Sequence, residues 1–227
     1  MLRQLLQSSI QATRRALAWN VKDISPPAEV ILFNFAKPED VKLWEVYADS
    51  KHGGLSSATL DVTRKHRNIA GIFSGSLSEN VAADKPVTLK RSGFVGMRTM
   101  EDRYRIDLEP FQALLFRVKG DGRCYISSLR TESWVTGPTD GGFNTWQAFL
   151  FAPKDEWSTV EIPLSRYLPT WRGKILPVDH EMNLRSVLGL GLSTTVEGPE
   201  GAIKGPGDFR LEIQWIKAIQ KTSLKRL

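Results

Sequence analysis

Phe209-Arg210-Leu211-Glu212-Ile213-Gln214-Trp215 alternates an apolar residue with a polar one along its whole length. Successive side chains of a strand point to opposite faces, so this stretch reads as a half-buried strand with a wet outer side. The same period governs Leu114, Phe116 and Val118. A Gly120-Asp121-Gly122 turn signal follows, then a second run from Cys124 to Leu129, which together spell a hairpin. Further strands are expected at Val30–Phe35, Ala58–Val62, Gly71–Leu77, Gly93–Thr99, Thr145–Phe151, Thr159–Pro163 and Val187–Thr194. Only short helices suggest themselves in this body, the best of them Pro38 to Trp44, with proline near its first turn and Glu39 and Asp40 set to complement the helix dipole.

Many short strands separated by Gly, Pro and Asp turns point to an all-β jelly-roll sandwich. Strands do not alternate with long helices, which disfavours a doubly wound α/β fold. One β domain is expected over residues 28–220, preceded by an arm over 1–27 and followed by a basic tail over 221–227. The long irregular stretches 78–90, 131–144, 164–182 and 195–207 are expected to be loops, where function concentrates.

The arm reads as an amphipathic helix. Leu2, Leu5, Leu6, Ile10, Thr13 and Leu17 recur at spacings of three and four, and Pro26-Pro27 ends the pattern. Its arginines and serines without acids match the composition of a mitochondrial import signal. A helix that stays on and packs against the domain or a membrane surface is the alternative.

Charge is unevenly placed. Of 227 residues, 31 are Lys or Arg and 25 are Asp or Glu, a net charge of +6. Residues 1–22 carry +4 and residues 216–227 another +4, which leaves the body at −2. Nucleic-acid readers carry their basic patch on the folded face, so a nucleic-acid partner is not expected. Basic ends suit targeting or an anionic membrane surface. The single cysteine, Cys124, excludes an intrachain disulfide and any multi-cysteine metal site. No apolar run is long enough to span a bilayer.

Catalytic signatures are missing. His52, His66 and His180 form no metal-binding pair, and Asp179-His180-Glu181 reads as a solvated loop. No Gly-x-Ser-x-Gly elbow occurs. Gly189-Leu190-Gly191 lacks the third glycine of a dinucleotide loop, and its glycines are expected to relieve crowding in a packed strand. Cys124 reads as a buried structural thiol. No catalytic, metal or cofactor residues are therefore assigned.

Seven tryptophans stand out. Trp44, Trp146, Trp157 and Trp215 lie in or beside periodic segments, where core packing accounts for them. Trp134 and Trp171 fall in expected loops. Trp171-Arg172 joins an aromatic anchor to a guanidinium fork, as at an interface hot spot. A sugar-stacking platform and a tryptophan folded back over the core stay open. Arg123, Tyr125, Arg130 and Trp134 are a second interface set, because they follow the Gly-Asp-Gly turn into a long loop.

Several stretches taken in order resemble the complex I intermediate-associated protein 30 family, most closely its short plant and algal type. They are Leu55–Ala58, Gly71–Gly75, Arg91–Arg98, Arg117–Ile126, Trp146–Phe149, Trp157–Leu164, Leu168–Gly173 and Gly207–Ala218. The resemblance implies a galactose-binding-like jelly roll and a mitochondrial assembly factor for respiratory complex I. It implies association with membrane-arm assembly intermediates and other assembly factors, and it carries over no catalytic residue. A non-catalytic scaffold on the matrix side, peripheral to the inner membrane, is the leading expectation. A carbohydrate- or small-ligand-binding module is the alternative.

Overall fold

The structure is a computed structural model that describes residues 27–65, 68–83, 91–100, 105–132, 144–171, 174–177 and 181–220. The arm, the tail, Trp134, Arg172, His66 and His180 lie outside the described residues.

Among the described residues thirteen strands form two antiparallel sheets that pack face to face. They are β1 (Glu29–Asn34), β2 (Trp44–Ala48), β3 (Ser57–Lys65), β4 (Asn68–Leu77), β5 (Phe94–Thr99), β6 (Ala113–Lys119) and β7 (Cys124–Thr131). Then come β8 (Asn144–Phe151), β9 (Trp157–Pro163), β10 (Leu168–Trp171), β11 (Lys174–Ile175), β12 (Val187–Thr195) and β13 (Gly207–Ile219). One sheet has the order β3-β4-β13-β6-β9, with β1 also paired to β13. The other has the order β11-β10-β8-β7-β12-β5-β2. This is the β-sandwich that the period-two pattern calls for.

Long β13 organises the first sheet. Its start pairs with β4 and its end with β1, while β6 runs along its other side. Phe209, Leu211, Ile213 and Ile216 face inward and are buried, with Phe116 of β6 and Phe73 of β4. Phe73 and Phe209 pack with their ring planes tilted by 60° and centroids 4.9 Å apart. The second sheet answers with Tyr125, Leu129, Leu150, Leu190 and Leu192. Trp44 of β2 packs edge-on to Phe33, 5.0 Å between centroids, and lies 5.4 Å from Phe35, which ties the two sheets together. Each buried aromatic or leucine contributes roughly 1.5–3 kcal/mol over its exposed state.

Three local expectations need correction. The Gly120-Asp121-Gly122 turn is not a hairpin: β6 lies in one sheet and β7 in the other, so the turn arches across the core. Alternation shows that each run has one buried face, but not whether a turn folds back within a sheet or crosses. Asp121 sets the arch by accepting from the backbone N–H of Arg123 at 2.9 Å and of Arg210 at 2.8 Å. Second, the helix α1 spans only Pro38–Val41. Trp44 instead starts β2, because its ring is buried on Phe33 and Phe35 and its backbone pairs with Thr99. Third, residues 164–182 hold β10 and β11, which extend the second sheet beyond β8.

Candidate binding face

Two rows of side chains cross the outer face of the seven-stranded sheet, set by register. Glu45, Arg98, Gly191, Ser128, Gln147 and Leu168 lie opposite one another across β2, β5, β12, β7, β8 and β10. Tyr47, Gly96, Ser193, Ile126 and Phe149 make the next row.

One wall is polar and internally paired. The Tyr47 ring lies over Gly96, where a Cβ would overlap it. Its hydroxyl bonds to Ser193, and burial pushes the phenol pKa up against the opposing pull of Arg98, Ser193 and Arg130. The Arg98 guanidinium stands 5.6 Å from the Tyr47 ring centroid. It donates from Nε and Nη2 to Glu45 Oε2 at 3.3 and 3.2 Å. Lys51 Nζ donates to Glu45 Oε1 at 3.4 Å. Burial raises the Glu45 pKa, but Arg98 and Lys51 outweigh it and hold the carboxyl below its ordinary value.

The other wall is apolar. Phe149 is 56% exposed and Phe151 53%, with ring centroids 6.0 Å apart. Leu168 of β10 and Ile175 of β11 are exposed beyond them. Between the walls the floor is made of small side chains, Gly191, Ser128 and Ser193. The Gly191 position leaves no spare room, since a Cβ there would come within 2.6 Å of Ser128 Oγ. Gly189 is likewise filled by the Arg130 guanidinium, 2.5 Å from where a Cβ would stand. Both glycines thus relieve crowding, as their sequence suggests.

The expected site residues separate. Tyr125 is fully buried in the core, with a phenol pKa raised mainly by burial. Arg123 is buried at the arch, where Nε donates to Asp208 O at 3.1 Å and Nη1 to Gly205 O at 2.9 Å. Arg130 is buried beside Gly189, and its Nη2 donates to Thr99 O at 2.7 Å. Trp171 ends β10, 39% exposed, rather than sitting in a loop. The structure therefore places Arg123 and Tyr125 at the arch end, and Trp171 at the far edge of the second sheet.

The sequence alone does not single out Tyr47, Arg98, Phe149 or Phe151 as surface residues of one site. One signal was available. In Thr145–Phe151 the inward set Trp146, Ala148 and Leu150 is apolar, yet the outward set ends in two phenylalanines. Apolar side chains on both faces of a strand mark a candidate interaction surface.

Among the described residues no group of three His, Cys, Asp or Glu side chains could hold a metal ion. Burial raises the Cys124 thiol pKa to about 11, so it carries almost no thiolate near neutrality. No helix among them is long and apolar enough to cross a membrane.

Comparison with known proteins adds the following. The family model described as Complex I intermediate-associated protein 30 (CIA30) matches residues 33–213. "Complex I intermediate-associated protein 30, mitochondrial" of Neurospora crassa is 31% identical over 203 residues, 78% of this chain and 70% of that protein. The protein of that name from Drosophila melanogaster is 27% identical over 196 residues, 82% of this chain and 61% of the fly protein. A "probable" counterpart in Caenorhabditis elegans is 29% identical, over 84% of this chain and 54% of its own length. The chain thus spans between about half and 70% of the length of these curated relatives. Among solved structures, the family 11 carbohydrate-binding module of the cellulase Lic26A-Cel5E of Clostridium thermocellum superposes with a TM-score of 0.59 at 15% identity. That match covers 89% of this chain and all of the module. A family 30 module from the same organism gives 0.53 at 14% identity, over 86% of this chain and 99% of its own. At such identity the likeness is one of fold alone.

Proposed function

Because the chain belongs to the complex I intermediate-associated protein 30 family, we propose that it serves the assembly of mitochondrial respiratory complex I as a non-catalytic scaffold for membrane-arm intermediates. The observation that carries this reading is the extent of the family match. Residues 33–213 run from within β1 to within β13, so the matched unit is the whole sandwich rather than a local motif. A rigid two-sheet body with an exposed aromatic wall suits holding a partner in place, since interface energy concentrates on such anchors. The basic segments at 1–22 and 216–227 suit residence at the anionic matrix face of the inner membrane. Trp171, on β10 beside the edge strand β11, is proposed together with Arg172 as one contact point for a partner.

The test is genetic and biochemical together. The gene is deleted in its source organism and the respiratory complexes are separated on a native gel. Loss of mature complex I, with stalled membrane-arm intermediates that comigrate with the tagged protein in rescued cells, is the expected result. Normal complex I in the deletion strain overturns the reading and moves a ligand-binding role forward.

A further inference from the structure

We infer that the outer face of the seven-stranded sheet seats an amphipathic helical segment of a partner protein, apolar on the side it buries and acidic along its flanks. The inference rests on the assembly reading above and names the surface that would do the holding.

The two outer faces of the sandwich differ in kind. On the six-stranded sheet the outward groups pair with one another. Lys217 bonds Glu29 at 2.8 Å, Arg210 bonds Glu212 at 3.1 Å, and the Trp157 and Trp215 rings lie beneath Arg117 and Lys217. Ile31 of β1 is exposed on that face too, beside the paired Glu29 and Lys217. The seven-stranded face leaves Phe149, Phe151, Leu168 and Ile175 exposed on adjoining strands.

Shape narrows the occupant. Arg98 on β5 and Gln147 on β8 stand three inter-strand spacings apart, about 14 Å. Gly191 and Ser128 lie between them, so the row dips in its middle. A helix with its side chains is about 10–12 Å across and fits that width. A planar bilayer would rest on the walls and leave the floor empty.

Charge narrows it further. Lys51 and Arg98 share one acid, Glu45. Arg166, exposed two residues before Leu168, forms no ion pair among the described residues. The rim is basic on both sides, so a second copy of this face would be repelled and an acidic flank attracted. The mode is a helix in a groove, anchored at i, i+3 or i+4, and i+7.

A photo-crosslinking amino acid replaces Phe149 in the full-length protein, expressed in cells that lack the native gene. A second protein carries it at Thr159, on the outer face of the six-stranded sheet, as control. The expected product at Phe149 alone is one protein partner, cross-linked through a peptide with helical apolar spacing and flanking Asp or Glu. A synthetic peptide of that segment should bind the purified protein. Phe149→Ser with Phe151→Ser, and independently Arg166→Glu with Lys51→Glu, should each weaken binding by about tenfold or more. All four positions are exposed, so folding should survive, and circular dichroism checks it. Cross-linking to lipid, to a basic or non-periodic peptide, equally at Thr159, or to nothing overturns the inference. So does peptide binding that both double variants leave unchanged.

The two readings fail separately. If deletion removes complex I and both double variants restore it fully, the face is wrong and the assembly role stands. If deletion leaves complex I intact, the assembly role falls, and the cross-linked peptide still decides what the face holds.

Discussion

The Asp49 carboxylate accepts hydrogen bonds from both the backbone N–H and the hydroxyl of Ser56, each at 2.9 Å. Asp49 follows β2 of one sheet and Ser56 precedes β3 of the other, so this pair fastens the sandwich across its layers. The same carboxylate takes the N–H groups of Gly93 and Phe94 at the start of β5. Asp49 is completely buried, and Gly54 packs so closely that a Cβ would overlap its carboxyl group.

Asp49→Ala should therefore cost about 3 kcal/mol, because it strands several buried donors at once. Asp49→Asn should recover only part of the loss, since its amide turns a donor toward donors. Urea unfolding of the three proteins checks the order. A cost below about 1 kcal/mol for the alanine variant would show that water or local rearrangement replaces the carboxylate.

The Tyr47 ring and Gly96 form a second dependence. Gly96→Ala places a methyl inside the ring's position, so Tyr47 must lift away from Ser193 and Arg98. Overpacking of this kind costs about 1–3 kcal/mol. In a Tyr47→Ala background the obstacle is gone, and the penalty of Gly96→Ala should shrink to less than half. A double-mutant cycle by chemical unfolding reads the difference. Equal penalties in both backgrounds would mean that the backbone, not the ring, rejects the methyl.

How much of this was legible beforehand depended on which face a residue served. Phe209 to Ile213 declared its strand because one face meets the core and the other meets water. A bulge after Ile213 turns Trp215 outward beneath Lys217 and Ile216 inward, so Trp215 is not the core residue its spacing suggests. Leu168-Pro169-Thr170-Trp171 hid β10, since the strand is four residues long and Pro169 cannot donate. The arch at Gly120–Gly122 and a hairpin share the same residues, and only the partners of β6 and β7 tell them apart. Arg123 sat beside that turn with the chemistry of a surface fork, yet its guanidinium is spent on two carbonyls, those of Gly205 and Asp208. The binding face was the least visible part. Its floor depends on Gly191, Ser128 and Ser193 falling in adjacent strands, and register is a property of the fold rather than of any one segment.

Cys124 gives the protein a defined alkaline response. Its thiol titrates near 11 when folded, against an ordinary value of 9, because burial disfavours the thiolate. Below pH 9 both folded and unfolded chains keep the proton. Between pH 9 and 11 the unfolded chain releases it first, so stability falls as pH rises. Tyr47, Tyr125 and Tyr167 also have raised values and add to the fall at higher pH. Their share is common to wild type and Cys124→Ala. The stability gap between those two proteins should accordingly be widest at pH 8 and narrower at pH 10.5, by urea unfolding. A constant gap would show that the thiolate is tolerated in the fold.

Trp171 and Arg172 offer the separate test of the sheet's edge. Register gives Trp171 the parity of Pro169 and Trp146, opposite to that of Leu168, so a contact made through it is distinct from the Phe149 face. Its ring is partly exposed, and truncation should forfeit about 1–2 kcal/mol of packing. For a chain of this size that lowers Tm by roughly 2–8 °C. Trp171→Ala with Arg172→Ala should hold Tm within that range while cutting recovery of assembly intermediates by about tenfold, as loss of a hot spot does. Pull-down of intermediates from rescued cells, alongside a thermal melt, separates the outcomes. A Tm drop well beyond 8 °C would make Trp171 a core residue, because only the loss of a well-packed ring costs that much. Full recovery of intermediates with an unchanged melt would remove this edge from the interface and leave the seven-stranded face as the remaining candidate.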